Sequence, residues 1–159
     1  MPTLYVRDAS GFREAKPSDV LERAQALLSQ RYRPGAPVLS SPSLTREFLR
    51  MRLGARDYET FGLIHLDVRY RLIAVEDLFR GTIDRASVHP REVVKSVLSK
   101  GSAAVLLYHN HVSGQSSPSA ADEQITRHIQ QVLATLDVKV VDHLIIADPI
   151  YSFAEAGRL

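Results

Sequence analysis

His109 and His111 stand two positions apart where the apolar run AAVLLYHN (103–110) turns polar, and Asp122 follows eleven residues after the second histidine. Side chains at i and i+2 of an extended segment point to one side, so both imidazoles can converge on a point beyond the strand's carboxyl end. The intervening loop, HVSGQSSPS, is long enough to turn Asp122, in the first turn of the next helix, back to that point. Two imidazoles and one carboxylate form a three-ligand set for a divalent metal, and an open fourth position distinguishes a catalytic zinc site from a structural one. Zinc held there would lower the pKa of a water towards about 7 and polarise a carbonyl oxygen, the two requirements of amide hydrolysis at neutral pH. The expectation is one Zn2+ per chain.

Ser119 lies three residues before Asp122. A Ser-x-x-Asp at a helix start reads as an N-cap with an acidic residue placed favourably for the helix dipole. On the same side of the first turn, the serine hydroxyl could also donate to an oxyanion. The two readings are compatible. His89 and His143 read as structural residues or outer partners of a ligand, with the pair Asp142-His143 able to orient a neighbouring imidazole. His65 and His128 read as ordinary face residues.

The chain has 159 residues, a net charge of +2 and no cysteine. This length fits one compact domain. Without thiols there can be no disulfide framework, thiol nucleophile, iron–sulfur cluster or thiolate zinc site. Zinc deaminase chemistry, which needs cysteine ligands and an H-x-E signature, is excluded as well. The literal tripeptide HNH at 109–111 is weak support for an HNH nuclease, whose name abbreviates dispersed residues. No apolar run approaches the roughly 18 residues of a membrane span, and the start MPTLYVRDASGFREAK lacks a basic region followed by an apolar one. A cytoplasmic protein with no membrane partner is expected. Sixteen of the 20 basic residues are Arg, which leaves some room for a nucleic-acid partner.

The elements that must position these residues follow from periodicity and punctuation. Val20, Leu21, Ala24, Leu27 and Leu28 mark one face of a helix over 17–31. The stretch RYRPGAPVLSSP reads as a loop or linker, which divides an N-terminal segment, 1–39, from a main domain, 40–159. Ser43 is a plausible cap for a helix to Leu53, with Leu44, Phe48 and Leu49 inward. FGLIHLDV (61–68) and RLIAVEDL (71–78) suggest a hairpin, and TIDRASV a third strand. Pro90 opens a helix with Val93, Val94, Val97 and Leu98 inward, stopped by Gly101. After the buried strand at 103–110, a helix from Ser119 places Ile125, Ile129, Val132, Leu133 and Leu136 on one face. One or two strands at 138–148 and a short one at 151–153 complete the chain. Strands alternating with amphipathic helices indicate an α/β domain, a mixed sheet flanked by helices.

His109-x-His111, seven residues, then Ser119-x-x-Asp122 resembles the full H-x-H-x7-S-x-x-D signature of the JAMM (MPN-plus) metalloproteases. HPREV, LLYHNHVSG, SPSAAD, VVDHLIIAD and YSFAEAG are similar to the RadC-like bacterial branch of that family, from about Ser40 to the C-terminus. Val112 departs from the Pro usual there, and the helix-hairpin-helix region of longer RadC proteins is absent, which turns the expectation away from DNA repair. The resemblance implies a deaminase-like JAMM/MPN fold and a zinc hydrolase acting on a peptide or isopeptide bond of a peptide or protein substrate. It also implies zinc ligation by His109, His111 and Asp122, oxyanion stabilisation by Ser119, and an upstream glutamate as general base. Among Glu47, Glu59, Glu76 and Glu92, the context Glu59-Thr-Phe-Gly62-Leu favours Glu59, with Glu92 of the HPRE text as runner-up. The alternative function is a DNA-associated accessory protein of RadC type with little or no protease activity.

Overall fold

The computed structural model describes residues 3–9, 11–38, 42–81 and 88–159, the side chains of 28, 29 and 31 excepted. In chain order the elements are β1 (Tyr5–Asp8), β2 (Gly11–Glu14), α1 (Pro17–Arg31), α2 (Pro42–Leu53), β3 (Thr60–Leu66), β4 (Leu72–Arg80), α3 (Pro90–Lys100), β5 (Ala104–Asn110), α4 (Ala120–Ala134), β6 (Lys139–Ile146) and β7 (Tyr151–Ser152). Five strands form a sheet in the order β4-β3-β5-β6-β7. The β3 strand runs antiparallel to both β4 and β5, whereas β5 and β6 are parallel and joined through α4. The sheet is therefore mixed and flanked by helices, the α/β architecture expected.

Every residue of β3 and β5 is buried, because both faces of the sheet are covered. Leu106 and Tyr108 pack with Ile64, Leu66 and the α2 residues Phe48, Leu49 and Leu53. Val105 and Leu107 pack on the opposite face with Phe61, Leu63, Val93 and Val97 of α3, and Ile129 and Leu133 of α4. Each such side chain contributes about 1.5–3 kcal/mol by leaving water. The period-2 alternation of β5 thus also decides where the site lies: His109 continues the Val105, Leu107 side and faces α4.

Gly62 shows how closely the layers meet. A Cβ there would stand 2.3 Å from the Tyr108 ring, whose hydroxyl donates to Asp77 Oδ1 at 2.6 Å. Only glycine leaves room for that ring at the start of β3.

Several expectations need correction. The antiparallel β1–β2 hairpin was not foreseen; its short strands YVRD and GFRE are largely exposed and carry no apolar face to reveal them. Helix α2 begins at Pro42, so Ser43 lies inside its first turn rather than capping it. Leu98 is 62% exposed, because α3 turns only Val93, Ser96 and Val97 fully inward. Leu136 lies beyond the end of α4 and is exposed, as are Val20, Leu21 and Leu27 on α1. The expected strand TIDRASV falls mostly on 82–87, outside the described residues. Of the one or two strands expected over 138–148, the structure has one. The stretch read as a loop or linker is irregular over 32–38 and packed: the Tyr32 ring stacks on Phe48 at 4.2 Å, and Val38 is buried. No helix among the described residues is long and apolar enough to cross a membrane.

Candidate metal centre

Register places the site. Phe61 of β3 pairs with His109 of β5 at the end of their antiparallel ladder, and Glu59, two residues before Phe61, lines the same groove as His111. Asp122 is the third residue of α4, whose N-terminus abuts the carboxyl end of β5. His109 and Asp122 are buried, while His111 keeps a slightly exposed edge.

Two imidazole nitrogens and one carboxylate converge. His109 Nε2 lies 2.9 Å from His111 Nε2 and 3.2 Å from Asp122 Oδ1, and His111 Nε2 lies 3.3 Å from Asp122 Oδ2. A tetrahedral zinc with bonds of roughly 2.0–2.1 Å separates its ligand atoms by about 3.3 Å, close to the distance of each imidazole nitrogen from the carboxylate oxygen it faces. His111 Nδ1 is 2.6 Å from the Gln115 carbonyl oxygen. A carbonyl only accepts, so Nδ1 carries the proton and the neutral ring presents a bare Nε2. Among the described residues, His109, His111 and Asp122 are the group able to hold a metal ion.

The electrostatics suit a cation. Burial pushes the His109 pKa down despite Asp122, keeping the ring in the neutral form that ligates. The Asp122 carboxylate beside it raises the pKa of His111. Burial acts to raise the Asp122 carboxyl, but the adjoining His109 and His111 rings and the Ser119 hydroxyl outweigh it and hold the group well below the usual carboxylate range. The result is an anion beside two imidazoles.

The triad opens into a groove of about 620 Å³ lined by Glu59, His111, Ser113, Gln115, Ser119 and Asp122 among others. Glu59 is thus the upstream glutamate brought to the site. Glu92 lies on α3 and pairs with Lys95 at 3.0 Å, Glu76 accepts from Ser96 at 2.5 Å, and Glu47 is exposed on α2. Ser119 forms a complete capping box: its Oγ accepts from the Asp122 N–H, and the Asp122 side chain accepts from the Ser119 N–H. The Ser119 hydroxyl also donates to Asp122 Oδ2 at 2.6 Å.

Other histidines divide differently from expectation. His65 is fully buried between Ser96 and Ser102, not an ordinary face residue, whereas His128 is exposed. His143 does meet the site, with Nε2 2.8 Å from His109 Nδ1. Asp142 does not orient that ring; its carboxylate accepts instead from the main-chain N–H groups of His143 and Ala154 and from Ser152. Two residues near the site escaped the sequence reading. Asn110 bonds the backbone on both sides of Glu59, and Thr126 bonds both His143 and the Asp122 carbonyl. The signals for them were local: a polar side chain between the two histidines, and a hydroxyl one helical turn after Asp122.

A profile of the RadC-like JAB domain matches residues 39–158. A UPF0758 protein of Vibrio cholerae is 47% identical over 142 residues, covering 89% of this chain and 90% of that one. UPF0758 proteins of Thioalkalivibrio sulfidiphilus and of a Janthinobacterium are 49% and 47% identical, each over 88% of this chain. The aligned region is 62% of each of those two relatives, so the chain spans about three fifths of their length.

Proposed function

The chain belongs to the RadC-like JAB domain family, and from that premise we propose that it is a zinc-dependent hydrolase cleaving a peptide or isopeptide bond in a peptide or protein substrate. The observation that carries the proposal is the meeting of the two Nε2 atoms with the Asp122 carboxylate, in a groove that also holds Glu59. His109, His111 and Asp122 would hold the ion. Zinc bound there supplies Lewis-acid polarisation of the scissile carbonyl and activation of water.

The chain's own groups do the remaining work. Glu59 takes a proton from the attacking water and returns it to the leaving nitrogen as the C–N bond breaks. Ser119 turns its hydroxyl from Asp122 to the oxyanion that develops on the carbonyl oxygen. Water's oxygen ends in the new carboxylate. Nucleic-acid binding draws less support, since Arg46, Arg52 and Arg56 each face a carboxylate, of Glu155 or Asp77.

The test is a peptide-library cleavage assay on zinc-loaded protein with Glu59→Gln and Glu92→Gln beside it. Glu59→Gln should keep its zinc and lose about 10²–10⁴-fold in turnover, the usual weight of a general base. Glu92→Gln should cleave normally. A dead, zinc-loaded Glu92→Gln beside an active Glu59→Gln would reassign the base.

A further inference from the structure

Behind the metal triad runs a hydrogen-bond chain with only one self-consistent direction. Thr126, one turn after Asp122 on α4, donates its hydroxyl proton to the Asp122 carbonyl oxygen at 2.5 Å. A carbonyl oxygen cannot donate, so this end is fixed. Thr126 Oγ1 also lies 2.6 Å from His143 Nδ1. With its one proton spent, the hydroxyl must accept, so His143 carries its proton on Nδ1. His143 Nε2 is then a bare acceptor 2.8 Å from His109 Nδ1, which must hold a proton in turn. The remaining nitrogen of His109, Nε2, is left with its lone pair aimed at the point it shares with His111 and Asp122.

The reverse direction would leave the 2.5 Å approach of Thr126 Oγ1 to the Asp122 carbonyl oxygen without a proton between them. His109, His143 and Thr126 are all buried, so water does not supply alternative partners. Phe153 stacks on the His143 ring at 4.9 Å between centroids and Phe61 meets it edge-on at 5.6 Å, which fixes its plane. The chain starts on one member of the triad and ends on the main chain of another.

We propose that His143 and Thr126 are positioning residues that lock His109 in the Nδ1–H tautomer and tie its ring to the Asp122 turn, so that both ligands are preorganised for the ion. The proposal rests on the zinc reading above. Outer partners of ligating histidines commonly govern metal affinity by 10–100-fold, so affinity for zinc alone reads the effect without a substrate.

Zinc affinity is measured by competition with a chromophoric chelator, with thermal unfolding as a check on folding. His143→Leu should bind zinc about 10–100-fold more weakly. His143→Gln, whose amide can accept from His109 and donate to Thr126, should recover most of the loss. Thr126→Val should weaken binding in the same direction while Thr126→Ser does not. A folded His143→Leu that binds zinc as tightly as the unmutated chain overturns the proposal, as does a glutamine variant no better than leucine. If the leucine variant does not fold, the Thr126 pair decides: equal affinities of the valine and serine variants overturn it. Ring ¹⁵N spectra of the metal-free chain give an independent reading. A proton on His143 Nδ1 is the expected result, and one on Nε2 contradicts the relay. Should the unmutated chain take up no zinc, the metal-centre reading fails, while these spectra still decide the relay.

Discussion

Asn110 Oδ1 accepts the main-chain N–H of Thr60 at 2.7 Å, and the same side chain donates from Nδ2 to the Tyr58 carbonyl at 3.0 Å. The residue between the two histidines therefore grips the backbone on both sides of Glu59. Asn110→Ala should leave a buried N–H and a carbonyl unpaired, at a cost of about 1–3 kcal/mol. It should also lower turnover by more than it lowers zinc affinity, because the ligands stay while the Glu59 backbone loosens. Thermal midpoint, zinc affinity and peptide turnover of the one variant check this. Full turnover in a destabilised protein would leave Asn110 a purely structural clamp.

Ser119 is expected to serve twice. Its capping box predicts that Ser119→Ala costs about 1 kcal/mol of stability. Loss of an oxyanion donor should in addition reduce turnover by about 10²–10³-fold with zinc retained. Denaturation and turnover of the zinc-loaded variant separate the two roles; a stability loss with unchanged turnover assigns the residue to the cap alone.

Stability of the metal-free protein should depend on pH through its buried histidines. Burial pushes the His65 pKa down, more than the neighbouring Glu76 raises it. The unfolded chain has its histidines near 6.5. The unfolded state therefore binds more protons below that pH, and stability is full above about 6.5 and lost as pH falls towards the folded value. His109 and His143, also lowered by burial, act in the same sense. His111 opposes them: its pKa is raised, so its contribution is present below about 6.5 and lost as pH rises through the folded value. Urea denaturation at pH 5.5 and 7.5 should show the lower stability at pH 5.5, and His65→Gln should shrink the difference. An unchanged difference would exclude His65 as a contributor.

Much of the site was legible because it is local. His109 and His111 sit at a strand end announced by an unbroken apolar run, and Ser119 and Asp122 share one helical turn. Glu59 is brought in by its place just before β3, whose Phe61 pairs with His109, and family context rather than any short-range pattern singles it out among four glutamates. His65 was misjudged for a physical reason: in FGLIHLDV a polar residue looks like the outward phase of an alternating strand. Its partners Ser96 and Ser102 lie 31 and 37 residues away, where no periodicity points. His143 is legible as an outer partner of a ligand, but its link to Thr126 is not, since a hydrogen bond between a strand and a helix leaves no mark on spacing. The apolar period points Leu98 inward but does not tell how much of a helix face its neighbours cover, and Leu98 is exposed.

The zinc content of purified protein is the most direct test of the centre itself. Elemental analysis of chain expressed and purified without chelator, next to the variant carrying both His109→Ala and His111→Ala, should find about one zinc per unmutated chain, since the described residues hold one three-ligand site. The folded double variant should hold close to none. A double variant loaded as fully as the unmutated chain would contradict a metal centre built on His109, His111 and Asp122.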